Sequence, residues 1–289
     1  MRIIKTVLIP LAVILLMLPD SAAADKPAYI IYQKDGRQAA YSEFAAVALT
    51  YPVILFGELH NNAVAHWLQL ELTRSLASDA RPLAVGMEMF EADNQVLIDE
   101  YFSGLISQAN FEREARLWNN YSTDYKPVLE FARTNGMRLV ATNIPRRYAS
   151  AVHRNGLEVL EQFSTEAKRW MAPLPVTVDT ELPMYKAILD MAGGHGTPNL
   201  VYAQAVKDAT MAWFIHRNLY GGVRFLHLNG SYHSDNYEGI NWYLKRLVPE
   251  IRILTITTIE ADDPADIQTD QLQKADFTIV VASSMTKTY

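Results

Sequence analysis

The sequence of 289 residues contains no cysteine. That excludes disulfides, cysteine–metal sites, thiol nucleophiles and a lipid-modified cysteine. Positive charge is also scarce: 26 Lys and Arg face 32 Asp and Glu, a net charge of −6. Nothing here points to nucleic acid or an anionic membrane surface, both of which select basic patches. Beyond residue 18 no apolar run approaches membrane-spanning length. There is no Gly-x-Ser-x-Gly elbow, so serine-hydrolase chemistry is disfavoured. The glycines at 193, 194 and 196 lack the Lys and Ser/Thr of a phosphate loop and read as a chain break. No solenoid repeat or low-complexity linker is present.

The amino terminus has a character of its own. Arg2 and Lys5 precede an apolar run from Thr6 to Leu18, and Ser21-Ala22-Ala23-Ala24 follows. This is the pattern of a secretory signal peptide cut after Ala24 or one residue earlier. The expectation is a periplasmic or secreted protein with no stable membrane anchor. Residues 25–289 are then expected to form a single α/β domain.

Apolar periodicity supplies the elements. Short strands flank Asp35-Gly36, a hairpin signal. Ser42 is placed to cap a helix through Leu49. Further strands are expected at 53–58, 83–90, 138–144, 224–228, 251–259 and 277–282. A helix over 63–77 carries Val64, Leu68, Leu72 and Leu76 along one side, and a long helix runs from Asn199 to Leu219. Strands alternating with helices imply an α/β fold with a mostly parallel central sheet, flanking helices and a helical cap or subdomain. The cap corresponds to a helical insertion at roughly 146–220.

The chemistry gathers at expected strand ends. Gly57-Glu58-Leu59-His60 is matched by Gly230-Ser231-Tyr232-His233, and both follow a strand. Parallel strands would bring Glu58, His60, Glu88, Arg146 and His233 to one rim. Two imidazoles and two carboxylates suit a divalent ion, with Glu58, His60, Glu88 and His233 as its ligands. The same residues could activate water, with Arg146 steadying an anion. Plainer roles stay open: Glu58 as a helix cap, His60 and His233 as locally bonded loop residues, Arg146 as the structural partner of Glu88. His66 and Gln69, one turn apart, can reach the same rim. Gln204, Asp208, Met211 and Ile215 share one helical face, which suggests a cleft or a buried polar network.

Five motifs in order across roughly residues 45–250 resemble one family. They are Gly-Glu-x-His-Asn-Asn with His66 and Gln69, Gly-Met-Glu-Met-Phe at 86–90, Ala-Thr-Asn-Ile-Pro-Arg-Arg at 141–147, Ala-Gln-x3-Asp-Ala-Thr-Met-Ala at 203–212, and Asn-Gly-Ser-Tyr-His at 229–233. The chain is similar to ChaN-like proteins of the haem-binding uptake and Tiki superfamily, which also holds TraB-like and erythromycin-esterase-like members. That resemblance implies an exported protein of iron or haem acquisition, with haem stacked in pairs across a homodimer and bound through a tyrosine. Tyr232, His233, Arg146, Arg147, Gln204 and Asp208 are the residues expected around the cofactor, the arginines pairing with propionates. Tyr232, Tyr237, Tyr121 and Tyr125 all stand near rim loops as candidates for the ligand. The Tiki branch implies instead a metal-dependent hydrolase acting on a peptide or small molecule through the two Gly-x-x-His motifs and Glu88. The missing lipidation cysteine departs from many family members.

Overall fold

The computed structural model describes residues 26–191 and 197–289. The signal-peptide segment and the break at 193–196 lie outside the described residues. Two antiparallel strands, β1 (Tyr29–Gln33) and β2 (Gln38–Ala39), form the expected hairpin around Gly36, whose φ of 89° suits glycine. Helix α1 (Tyr41–Ala48) follows. Ser42 does not cap it: the helix begins one residue earlier, and the cap position is Ala40, with no side-chain bond.

Strand β3 (Val53–Glu58) is wholly buried and leads to α2 (Ala63–Ala77), where Asn62 Oδ1 accepts from the Ala65 amide. All four apolar residues expected on the inner side of α2 are buried. Strand β4 (Leu83–Glu91) is followed by α3 (Gln95–Phe102), α4 (Gln108–Glu114), a π-type turn at Tyr121–Tyr125 and α5 (Lys126–Thr134). Strand β5 (Arg138–Asn143) precedes a helical stretch made of α6 (Arg146–Asn155), α7 (Thr165–Lys168), α8 (Pro183–Met191) and α9 (Pro198–Arg217). Then come β6 (Arg224–Gly230), α10 (Ile240–Leu247), β7 (Ile253–Ala261) and β8 (Phe277–Ala282).

The eight strands form one sheet in the order β2-β1-β8-β7-β3-β6-β4-β5. From β8 to β5 every pairing is parallel; β1 joins β8 antiparallel. The parallel strands are buried on both faces because helices cover both sides, which explains their largely apolar sequences. One core packs α1, α2, α3 and α5 against the sheet; another packs α9 and α10.

Strand β6 lies between β3 and β4, although it is the last of the three in sequence. The carboxyl ends of these strands therefore open side by side, and Glu58 registers directly with Gly230. This is the position at which parallel sheets expose loop chemistry.

Candidate functional site

A cavity of about 680 Å³ opens at those strand ends. Glu58, His60, Glu88, Arg146, Tyr232, His233 and Gln204 all line it, so five chain-distant segments meet at one rim. Trp118, Ile144, Ile188, Met191 and Leu200 supply much of its apolar wall. Asn143 also lines it and has a buried Oδ1 with no hydrogen-bond partner.

Glu58 is the hub on one side. Its Oε1 accepts from His60 Nδ1 at 2.8 Å and from the Tyr125 hydroxyl at 2.8 Å. Its Oε2 accepts from Gln69 Nε2 at 2.7 Å and lies 3.0 Å from His66 Nε2. His66 Nδ1 in turn sits 3.2 Å from Asp124, an ionic contact rather than an aligned hydrogen bond. Burial alone would raise the Glu58 carboxyl, but His60 and His66 outweigh it and bring it down to about 2. Burial likewise works against charge on His66, yet Asp124 and Glu58 push that imidazole up to about 9. His60 is raised in the same way, by Glu58 against the pull of burial.

His60 is the partly open member of this group. Its side chain is 37% exposed, its ring meets Trp118 edge-on at 4.9 Å, and its Nε2 has no hydrogen bond among the described residues. The ring rests on Gly230, where a Cβ would come within 2.7 Å of Nε2 and Cε1. Any residue other than glycine at 230 would displace the imidazole.

Glu88 anchors the other side. Its Oε2 accepts from the Gly230 amide at 2.7 Å, and its Oε1 lies 3.1 Å from His233 Nε2. His233 Nδ1 is in short contact with Asp208 and 3.0 Å from Gln204 Nε2. The Tyr185 hydroxyl donates to the far oxygen of Asp208 at 2.8 Å. Burial opposes charge on His233, but Glu88 and Asp208 raise it to about 10. Glu88 is held well below the usual carboxylate range: burial resists, and the charge of His233 prevails.

This geometry corrects several expectations. The four expected metal ligands pair with one another: both nitrogens of His233 face carboxylates, and Glu58 has both oxygens engaged. No group of three or more His, Asp or Glu poised for a metal occurs among the described residues. His233 for the same reason has no nitrogen to offer haem iron. Asp208 is fully buried and braces His233 from behind, outside the cavity lining. Arg147 is absent from the lining as well: it pairs with Asp93 at 2.7 Å and lies over the Tyr148 ring. Arg146 does reach the cavity, but the partner of Glu88 is His233, not Arg146. Glu58 caps no helix, since Asn62 fills that role for α2.

The four candidate tyrosines separate clearly. Tyr121 and Tyr125 are buried, and Tyr237 bonds to Asp276. Tyr232 alone of the four lines the cavity, with its ring half exposed and its hydroxyl 3.6 Å from the Met191 sulfur. Sequence reasoning missed Tyr289, which also lines the cavity, and Asp124, which stands beside the candidate Tyr125 and contacts His66. Lys207 was missed too; its i+3 spacing from Gln204 was the available signal.

Comparison with known proteins agrees with this architecture. ChaN of Campylobacter jejuni, solved with cofacial haem binding, superposes with a TM-score of 0.67 at 18% identity, covering 88% of this chain and 97% of that one. At that identity the likeness is one of fold. An erythromycin esterase, EreC, in its open conformation gives 0.46 at 14% identity, with 87% of this chain and 83% of that one covered. No curated protein matches. The profile described as "Haem-binding uptake, Tiki superfamily, ChaN" matches residues 44–244, well over half the chain. The chain therefore belongs to the ChaN family of haem-binding uptake proteins in the Tiki superfamily.

Proposed function

We propose that this chain binds haem in the cavity at the ends of β3, β4 and β6, as an exported protein of haem or iron acquisition. The observation that carries the reading is that a half-exposed tyrosine, Tyr232, and an imidazole with a free nitrogen, His60, both line the cavity. Tyr232 supplies a phenolate, a ligand suited to ferric iron. His60 has its Nδ1 fixed by Glu58, the carboxylate–histidine arrangement that orients a ligating or supporting Nε2. The volume is in the range that holds drug-sized ligands, and the apolar wall suits a porphyrin body. Haem itself would supply the iron coordination chemistry. Tyr232 and His60 would hold it, the apolar wall would cover the porphyrin, and Glu88 and Asp208 keep His233 as a fixed cation in the lining.

The amino-terminal pattern supports export, and no helix among the described residues is long and apolar enough to cross a membrane. Pairing of haem across a homodimer belongs to the same proposal, supported by family membership. Titrating the purified chain with haemin tests it: a saturable Soret shift is expected, and absence of saturation would overturn the reading.

A second reading, acid–base hydrolysis, is favoured by the Glu58–His60 pair, which leaves Nε2 open to take a proton from water. It needs no metal held by Glu58, Glu88 and His233. Turnover of a fluorogenic ester or peptide panel, lost in His60→Ala, is its test; no turnover with any substrate would remove it.

A further inference from the structure

Two cations on the cavity wall lack an acidic partner. Arg146 and Lys207 both line the cavity, and among the described residues no carboxylate stands within ion-pairing distance of either. The contrast with their surroundings is sharp. Arg147, next in sequence, pairs with Asp93; Arg116 pairs with Glu91 and Asp93. The carboxylates that line the cavity are already engaged: Glu58 and Glu88 face imidazoles, and Glu91 pairs with Arg116. Arg146 also opens helix α6, whose first turn has no acidic residue and no capping side chain. The partial positive charge of that helix end adds to the guanidinium. In a chain of net charge −6, two unpaired cations lining this one cavity are not a by-product of composition.

We propose that Arg146 and Lys207 form an anion-recognising end of the cavity, so that its ligand carries carboxylate at one end and an apolar body towards Tyr232. This rests on the haem reading, under which the carboxylates are the propionates, and it adds Lys207 as a specificity determinant. Guanidinium binds carboxylate as a two-pronged donor and ammonium as a point charge, so the pair accepts two carboxylates without requiring one fixed geometry.

Metal-free protoporphyrin IX separates this end from the iron. Its affinity, and that of its dimethyl ester, should be measured by fluorescence for the wild type, Arg146→Gln, Lys207→Gln and the double variant, with haemin in parallel. The wild type should prefer the free acid by about tenfold or more, the scale of a charge-assisted contact. The double variant should lose that preference while its affinity for the ester stays unchanged, and Arg146→Lys should restore part of it. Thermal unfolding checks that each variant is folded. A preference that survives in the folded double variant, with haemin still bound, overturns this inference and leaves the haem reading standing. Free-acid porphyrin bound with the expected preference, but haemin bound no more tightly, upholds the anionic end and removes the iron ligation. No porphyrin binding at all overturns both.

Discussion

Glu58 holds His60 through Nδ1 at 2.8 Å and so leaves Nε2 as the unbonded nitrogen beside the cavity. The same carboxylate takes the Tyr125 hydroxyl and faces His66 and Gln69. One buried acid thus joins the site to the core. A change at Glu58 must register both in stability and in ligand binding.

Glu58→Gln should destabilise the fold by about 3–5 kcal/mol, because it removes the charge opposite two imidazoles in a dry setting. Porphyrin-iron affinity should fall about 10–100-fold in the remaining folded protein, the usual effect of losing a carboxylate behind a ligand histidine. Urea denaturation and haemin titration on the same preparations check both. Unchanged stability would show that Glu58 is not the hub its contacts describe.

Gly230→Ala isolates the geometry of His60. The added methyl would stand 2.7 Å from Nε2 and Cε1, so the ring must leave its seat. Overpacking of this kind costs about 1–3 kcal/mol. Because Tyr232 and Arg146 are untouched, metal-free porphyrin should bind as before, while haemin keeps the affinity that Tyr232 supplies and loses the part that His60 adds. Equal losses for both ligands would mean that His60 does not act on the iron.

The ion pairs also set a pH dependence. Glu58 is lowered from 4.5 to about 2, so its contribution is complete above 4.5 and lost as pH falls towards about 2. His66 and His233 are raised from 6.5 to about 9 and about 10, so theirs is complete below 6.5 and lost as pH climbs through those values. The thermal midpoint should therefore be highest between about pH 4.5 and 6.5 and fall on both sides. A midpoint that keeps rising to pH 9 would contradict the assigned pairs.

Much of the fold was legible because buried parallel strands read as continuous apolar runs, and β3, β4, β5 and β6 stand where those runs are. The rim was legible because two Gly-x-x-His segments follow strands. What could not be read was which acid meets which imidazole. That depends on β6 lying between β3 and β4, a neighbour relation that chain order does not reveal. His233 consequently looked like a free ligand until Asp208 and Glu88 were seen on both its nitrogens. Arg147 looked equivalent to Arg146, yet Asp93 lies on its side of the helix and draws it away from the cavity. The π-type turn hid Asp124 and the inward role of Tyr125, which stood among the candidate ligand tyrosines but bonds Glu58 instead.

The central claim is that haem iron sits in this cavity on Tyr232. Electron paramagnetic resonance of the full chain loaded with ferric haem tests it most directly. The wild type should show the high-spin signal of a tyrosinate-bound ferric haem, and Tyr232→Phe should lose that signal while keeping the fold. A wild type that takes up no haem, or a Tyr232→Phe protein with an unaltered tyrosinate signal, would contradict the claim.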